Sequence, residues 1–267
     1  MHTEPVNGPA VPAPPAGRDL LAGKVVLVTA AAGTGIGNAT ARRCIEEGAT
    51  VVLSDAHERR LGEAADELTE PAGGTRPTTF VCDVTVETQV QAMVDGTVAE
   101  HGGLDVVVNN AGLGGTAELV DMTDEQWHKV LDITLTGTMR CLRASLRQMY
   151  GQRSGVIVNN ASVLGWRAQA GQAHYAAAKA GVMALTRSAA IEAAPHGVRV
   201  NAVAPSLAMH AFLAKVTTED LLDELTGREA FRRAAEPWEI ATVIAFLASD
   251  YSTYMTGEVV SVSSQRA

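Results

Sequence analysis

The sequence predicts an α/β protein: one domain built on a doubly wound parallel sheet of about seven strands, with helices on both faces. Three observations carry that prediction. Short, nearly continuous β-branched runs recur along the chain, as strands buried on both faces require. Helix-like stretches separate most of them, and such alternation implies parallel pairing through right-handed crossovers. No internal repeat or second composition zone interrupts the pattern, and 267 residues suffice for one large α/β domain.

The elements follow in order. Residues 1–20 hold five of the ten prolines (Pro5, Pro9, Pro12, Pro14 and Pro15), which cannot donate ladder hydrogen bonds. A disordered leader is expected there, ahead of a domain spanning 21–267. The first strand is KVVLVT (24–29), followed by a small-residue helix from Gly35 to Gly48. ATVVLSD (49–55) is the second strand, with a charged helix starting near His57. TTFVCDV (78–84), LDVVVNN (104–110), GVIVNNA (155–161), VRVNAVA (198–204) and EVVSVS (258–263) supply the rest. Thr123-Asp124-Glu125-Gln126 is a capping box that opens a further helix. A substrate lid is expected over about 207–238, where apolar positions (Leu207, Met209, Phe212, Leu213, Phe231) mix with Lys215, Arg228, Arg232 and Arg233.

Charge and cysteine usage narrow the function. Twenty-one basic against 30 acidic residues leave a net charge of −9, which speaks against a nucleic-acid partner. No apolar run reaches the roughly 18 residues of a membrane span, and no charged-then-apolar signal pattern opens the chain. A cytoplasmic protein acting on a small molecule is expected, away from any membrane. Cys44, Cys82 and Cys141 are far apart, with no metal-ligand spacing, so buried thiols and no metal site are expected.

Two regions carry chemistry. The first strand runs into Ala30-Ala31-Ala32-Gly33-Thr34-Gly35-Ile36-Gly37 and then a helix. Glycines there let the backbone approach a pyrophosphate, and the helix N-terminus offers free N–H groups. About twenty residues beyond Gly35 the second strand ends in Asp55, whose carboxylate accepts ribose hydroxyls and repels a 2′-phosphate. NAD(H) is therefore preferred, with NADP(H) not excluded because His57, Arg59 and Arg60 lie close by. Asp83 follows the third strand, where a carboxylate meets an adenine amino group. Asn110, Ala111 and Gly112 end the fourth, at the crevice of an open sheet.

Farther on, Tyr175 and Lys179 stand one helical turn apart on one face, and Ser162 lies just past the fifth strand. Hydride delivery to a carbonyl leaves negative charge on oxygen that must be protonated as it forms. A phenol with a pKa of about 10 is a poor proton donor-acceptor near neutrality, and a neighbouring ammonium is expected to lower it. Ser162 orients and stabilises the same oxygen.

With these residues in place, the sequence resembles the short-chain dehydrogenase/reductase family from about Leu21 to Val262. The glycine turn, Asp83-Val84, Asn109-Asn110-Ala111-Gly112, Ser162, Tyr175 with Lys179, and Arg199-Val200-Asn201-Ala202-Val203-Ala204-Pro205 carry the likeness. The resemblance implies a Rossmann-type fold, an NAD(P)-dependent alcohol dehydrogenase or ketone reductase, and a homo-oligomer, either tetramer or dimer. It implies that Lys179 also holds the nicotinamide ribose, and it places Val84, Pro205 and Ser206 at the cofactor.

Four departures from the family pattern stand out. The glycine turn is one residue longer, with Ala30 where glycine is expected. Thr134 occupies the place of the proton-relay asparagine. Ser206 replaces a glycine, and His210 falls where a threonine often meets the carboxamide. Ser261-Val262-Ser263-Ser264 lacks the usual Asp-Gly-Gly. Together with Ala161-Ser162-Val163-Leu164-Gly165-Trp166-Arg167, these features resemble an actinobacterial group of steroid-catabolic enzymes that act on coenzyme A thioesters of the C and D rings. That likeness implies an acyl-CoA substrate met by Leu164, Trp166, His210 and Phe212. The alternatives are an NADPH-dependent 3-oxoacyl thioester reductase and a nucleotide-sensing regulator without catalysis.

Overall fold

A computed structural model describes residues 11–209 and 219–264. Seven strands form one parallel sheet: β1 (Val25–Thr29), β2 (Thr50–Asp55), β3 (Thr78–Val81), β4 (Val106–Asn109), β5 (Gly155–Asn160), β6 (Val198–Pro205) and β7 (Val259–Val262). Their spatial order is β3-β2-β1-β4-β5-β6-β7. The order reverses between β1 and β4, and a ligand crevice opens at the carboxyl edge of such a reversal.

The helices are α1 (Ile36–Glu46), α2 (Glu58–Glu67), α3 (Glu87–His101), α4 (Asp124–Leu131), α5 (Gly137–Gln152), α6 (Ala173–Ala193), α7 (Glu219–Arg228) and α8 (Pro237–Ala248). A π turn over Asp132–Thr136 joins α4 to α5. Alternate strand residues feed two cores. Val26, Val28, Val51, Leu53, Val106 and Val108 pack with Ala41 and Cys44 of α1 and Ile240 and Ile244 of α8. Leu27, Val52, Val107 and Ile157 pack on the other face with Val90 and Met93 of α3 and Leu142 of α5. Burial on both faces is why these strands read as unbroken apolar runs. The capping box closes as the sequence predicts: Gln126 N donates to Thr123 Oγ1 (3.2 Å), and Thr123 N donates to Gln126 Oε1 (2.9 Å).

Two boundaries differ from expectation by more than two residues. The third strand, predicted to Val84, stops at Val81, because Asp83 Oδ1 accepts from both Thr85 N (2.9 Å) and Thr85 Oγ1 (2.8 Å) and turns the chain. Packing also begins before residue 21. The Arg43 guanidinium donates to the Pro15 and Ala16 carbonyls, while Glu47 Oε2 accepts from Arg18 N (2.8 Å) and Leu20 N (3.2 Å). Residues 1–10 of the expected leader lie outside the described residues.

All three cysteines are buried and free, and burial pushes the Cys44 thiol up to about 12 and Cys82 up to about 11. Among the described residues no helix is long and apolar enough to cross a membrane.

Candidate active site

The cofactor end is built at the β1–β4 reversal. Ala30 leaves β1 in the left-handed region (φ 51°) and Gly33 follows at φ 88°. The N-cap of α1, Gly35, has no side-chain cap, so the first N–H groups of the helix remain for a ligand. No atom lies within 4 Å of where a Cβ would stand on Gly33 or Gly35, which leaves that side of the turn open. Gly37 differs. A Cβ there would stand 2.2 Å from the Ala30 carbonyl oxygen and 2.5 Å from Asn110 Nδ2, so only glycine lets the helix close on the strand edges. Thr34 and Ile36 lie between these glycines, in the turn and at the start of α1. Asp55 reaches the same turn, accepting from Ala32 N (3.2 Å) and His57 N (2.9 Å). Burial raises its pKa against the opposing Ala32 N–H bond and the Arg60 charge. An open glycine turn, an uncapped helix end and a carboxylate beside them fit a dinucleotide.

The other cofactor candidates fall around this crevice. Asp83 carries the Thr85 turn, and Val84 wedges against Gly137, where a Cβ would stand 2.7 Å from Val84 Cγ2. Thr29, which sequence reasoning missed, bridges the two strands. Its Oγ1 accepts from Asn110 N (2.9 Å) and Ala111 N (3.1 Å) and donates to the Val108 carbonyl (3.4 Å). Pro205 ends β6, and Ser206 N donates to the Val262 carbonyl at 3.2 Å.

Ser162, Tyr175 and Lys179 meet at the same edge. Ser162 follows β5 and is buried; its hydroxyl lies beside the Tyr175 phenol, and its Oγ accepts from Leu164 N at 3.2 Å. Lys179, only 3% exposed, donates to the Asn160 carbonyl at 2.5 Å, and its Nζ sits 5.5 Å from the Tyr175 ring centroid. A Cβ on Gly112 would stand 3.4 Å from that Nζ, an ordinary contact, which places the loop after β4 beside the ammonium.

The burial of the site corrects one expectation. The Tyr175 phenol is raised, not lowered: burial pushes it up and the Ser162 hydrogen bond only partly opposes this. Desolvation also brings Lys179 down to about 8. At that distance and burial the ammonium does not overcome the loss of water around the phenol.

Thr134 lies in the π turn and is fully buried. Its Oγ1 accepts from Leu113 N (2.9 Å) and donates to the Leu113 carbonyl (3.2 Å), so its single proton is already committed to the loop after β4. Three further polar residues escaped sequence reasoning. Asn159 links Asn109 (2.8 Å) to Thr186 (2.9 Å) across the sheet and α6. Asn160 Nδ2 donates to Asn110 Oδ1 at 2.8 Å. His174, buried, accepts from Tyr175 N through Nδ1 at 2.9 Å and so satisfies a first-turn donor of α6. The signal for the asparagines was present: β4 runs out through Asn109-Asn110 and β5 ends in Asn159-Asn160, and the register pairs Asn109 with Asn159.

At the substrate end Leu164 is half-buried and Trp166 is 51% exposed. His210, Phe212 and Lys215 lie outside the described residues. The stems of the expected lid are tied: Met209 N donates to the Ala235 carbonyl (2.9 Å) and Ala235 N to the Leu207 carbonyl (2.8 Å). Among the described residues, the basic side chains of the expected lid are not a row of free cations. Arg228 pairs with Glu224, Arg233 makes two bonds to Glu239 (2.7 and 2.8 Å), and Arg232 donates to the Gly227 carbonyl (2.9 Å).

This combination, a nucleotide crevice with a serine, a tyrosine and a lysine at its mouth, is that of a hydride-transferring oxidoreductase. The family profile described as enoyl-(acyl carrier protein) reductase matches residues 30–264, and the chain belongs to the short-chain dehydrogenase/reductase family. It is an oxidoreductase of the alcohol–ketone type. Over 251 residues it is 64% identical to a (5R,7aS)-5-hydroxy-7a-methyl-1-oxo-2,3,5,6,7,7a-hexahydro-1H-indene-carboxyl-CoA reductase of Mycobacterium tuberculosis, covering 94% of this chain and 95% of that one. It is 42% identical to a cis-4-hydroxycyclohexanecarboxylate dehydrogenase of Sinomonas cyclohexanicum, over 91% of this chain and 96% of that one. The crystal structure of a short chain dehydrogenase from Mycobacterium smegmatis superposes with a TM-score of 0.86 at 61% identity, covering 97% of this chain and 99% of that one.

Proposed function

We propose that this protein interconverts a secondary alcohol and a ketone on an alicyclic, coenzyme A-linked steroid-ring catabolite, using NAD(H) in preference to NADP(H). The observation that carries the reading is the meeting of Ser162, Tyr175 and Lys179 at the mouth of the nucleotide crevice, in a chain 64% identical to a bicyclic carboxyl-CoA reductase. When bound, the nicotinamide supplies or accepts the hydride. Tyr175 gives its phenolic proton to the carbonyl oxygen in reduction and takes it from the hydroxyl in oxidation. Ser162 donates to the same oxygen and fixes its position. Lys179 holds the cofactor ribose, and its ammonium sits 5.5 Å from the tyrosine ring centroid. Thr134 acts as a positioning residue for the loop after β4.

Asp55, already bonded at the turn through Ala32 N and His57 N, supports the NAD(H) preference because a 2′-phosphate would meet its carboxylate. A homo-oligomer in the cytoplasm completes the reading; exposed Ile191, Phe246, Tyr251 and Tyr254 support self-association.

The test is nicotinamide absorbance with a bicyclic hydroxy-indanone carboxyl-CoA against a short 3-oxoacyl-CoA, each with NADH and NADPH. The bicyclic thioester with NADH should turn over fastest. Faster reduction of the short chain with NADPH would make the protein a general thioester reductase. Tyr175→Phe should lower kcat/KM by about 10²- to 10⁴-fold, the range of general acid–base catalysis, and leave NADH affinity nearly unchanged. Loss of turnover in both wild-type assays, with NADH still bound, would favour the regulator.

A further inference from the structure

The carboxyl ends of β1, β4 and β5 share a polar thread that joins the glycine turn to the lysine. Asn110 Nδ2 donates to the Ala30 carbonyl (3.1 Å), Asn160 Nδ2 donates to Asn110 Oδ1 (2.8 Å), and Lys179 Nζ donates to the Asn160 carbonyl (2.5 Å). The direction of each link is forced. A carbonyl only accepts, so Asn110 must turn its NH₂ toward Ala30, and its oxygen then requires the NH₂ of Asn160. Gly37, in the first turn of α1, packs directly on the Ala30–Asn110 bond. The thread therefore begins at the helix end that faces the cofactor phosphates.

Asn160 is an expensive residue for its place. It ends a strand whose interior is apolar, and its Oδ1 is buried with no partner. A buried acceptor left unpaired destabilises the fold, so an apolar side chain would pack here at lower cost. What the amide provides is the bond to Asn110. It fixes the strand end from which the Lys179 anchor projects.

We propose that Asn160 is a positioning residue for Lys179: with Asn110 it makes a directed relay, Ala30–Asn110–Asn160–Lys179, through which seating of the dinucleotide phosphates and placement of the ammonium are coupled. The proposal rests on the oxidoreductase reading for its purpose, not for its geometry. The ammonium it holds is desolvated, and Tyr175, 5.5 Å away at the ring centroid, is the titratable group set against it.

The test needs no substrate, so its outcome is independent of whether the substrate has been identified. Asn160→Leu removes the amide at similar volume, and Asn160→Thr keeps a donor on a strand-favouring side chain. NADH affinity is followed by fluorescence titration. The protonation midpoint of Lys179 in the cofactor-free protein is read by competitive acetylation across pH, with each of the four lysines resolved by mass spectrometry. Asn160→Leu should weaken NADH about tenfold, as the loss of one hydrogen bond of about 1.4 kcal/mol predicts. Its Lys179 midpoint should rise by at least about half a unit as water reaches the loosened ammonium. Asn160→Thr should fall between it and the wild type.

A merely structural residue would lower the melting temperature and move neither readout. NADH affinity within about twofold of wild type, together with an unmoved midpoint in a folded variant, would overturn the relay. If Asn160→Leu does not fold, Asn160→Thr decides by the same two readouts. Failure here with Tyr175→Phe still inactive would leave the oxidoreductase reading standing.

Discussion

Ala30 holds a left-handed backbone, φ 51°, at the position after Thr29 where the family pattern expects glycine. An alanine Cβ in that region costs about 1–2 kcal/mol, and glycine relieves it at the expense of a more flexible unfolded chain, about 0.4–1 kcal/mol. Ala30→Gly should therefore raise stability by about 0.5–1 kcal/mol in urea denaturation, with NADH affinity retained. Lys179 makes a sharper case. Its folded pKa, about 8, lies below the ordinary 10.5, so the charged form is penalised in the folded state. That penalty is complete below pH 8 and disappears as pH rises through the ordinary value, so stability attributable to this residue increases across that window. Lys179→Met should abolish turnover yet stabilise the cofactor-free protein at pH 7 by about 1–2 kcal/mol after the orphaned Asn160 carbonyl is counted. The gain should shrink toward pH 10, and a gain independent of pH would refute the desolvation account. Ser162, Tyr175 and Lys179 were legible because spacing and strand position are written in the chain. The upward shift of Tyr175 was not, since it depends on how much water the fold removes.

Among the elements, α1 and the π turn show how local geometry sets the site. The N-terminus of α1 reaches the strand edges only because Gly37 has no side chain, with the Ala30 carbonyl 2.2 Å from where a Cβ would stand. Gly37→Ala should cost about 1–3 kcal/mol of stability through overpacking, and it should weaken NADH binding more than it alters the rest of the fold. The π turn at Asp132–Thr136 places Thr134 Oγ1 on both backbone groups of Leu113. Thr134→Val keeps the shape and removes both bonds to the half-buried Leu113 backbone, so a loss of about 1–3 kcal/mol, at about 0.5–1.5 per bond, is expected, measurable as a lower denaturation midpoint. The inner strands β1, β4 and β5 were readable because both their faces are buried and their interiors are therefore apolar. The end of β3 was not, because a single Asp83–Thr85 turn outweighs the β propensity of the residues around it. The paired Asn-Asn strand ends were visible in the sequence, but only the register between β4 and β5 gives them meaning.

At the scale of the whole molecule, the segment before β1 is tied to the far end of the helix whose N-terminus borders the glycine turn. Composition pointed to disorder up to residue 20, since prolines cannot pair in ladders. Composition does not register a buried arginine that collects carbonyl oxygens. Arg43 binds the Pro15 and Ala16 carbonyls and the Glu47 carboxylate, while Glu47 accepts from Arg18 N and Leu20 N. The Glu47 side chain is fully buried. Burial would push its pKa up, but the two backbone N–H groups and Arg43 outweigh it and hold the carboxyl below its ordinary value. A depressed carboxyl contributes stability above its unfolded pKa and loses it as pH falls through the folded one. Arg43→Met should therefore cost about 3–5 kcal/mol at pH 7, the range for leaving one buried charge unpaired. Lowering the pH into the acid range should narrow the gap between variant and wild type. The variant then escapes its unpaired charge by taking a proton, while the wild type loses the ion pair. Urea denaturation at neutral and acid pH measures both. A gap of equal size at the two pH values would mean that Arg43 stabilises the segment before β1 through its bonds to the carbonyls alone.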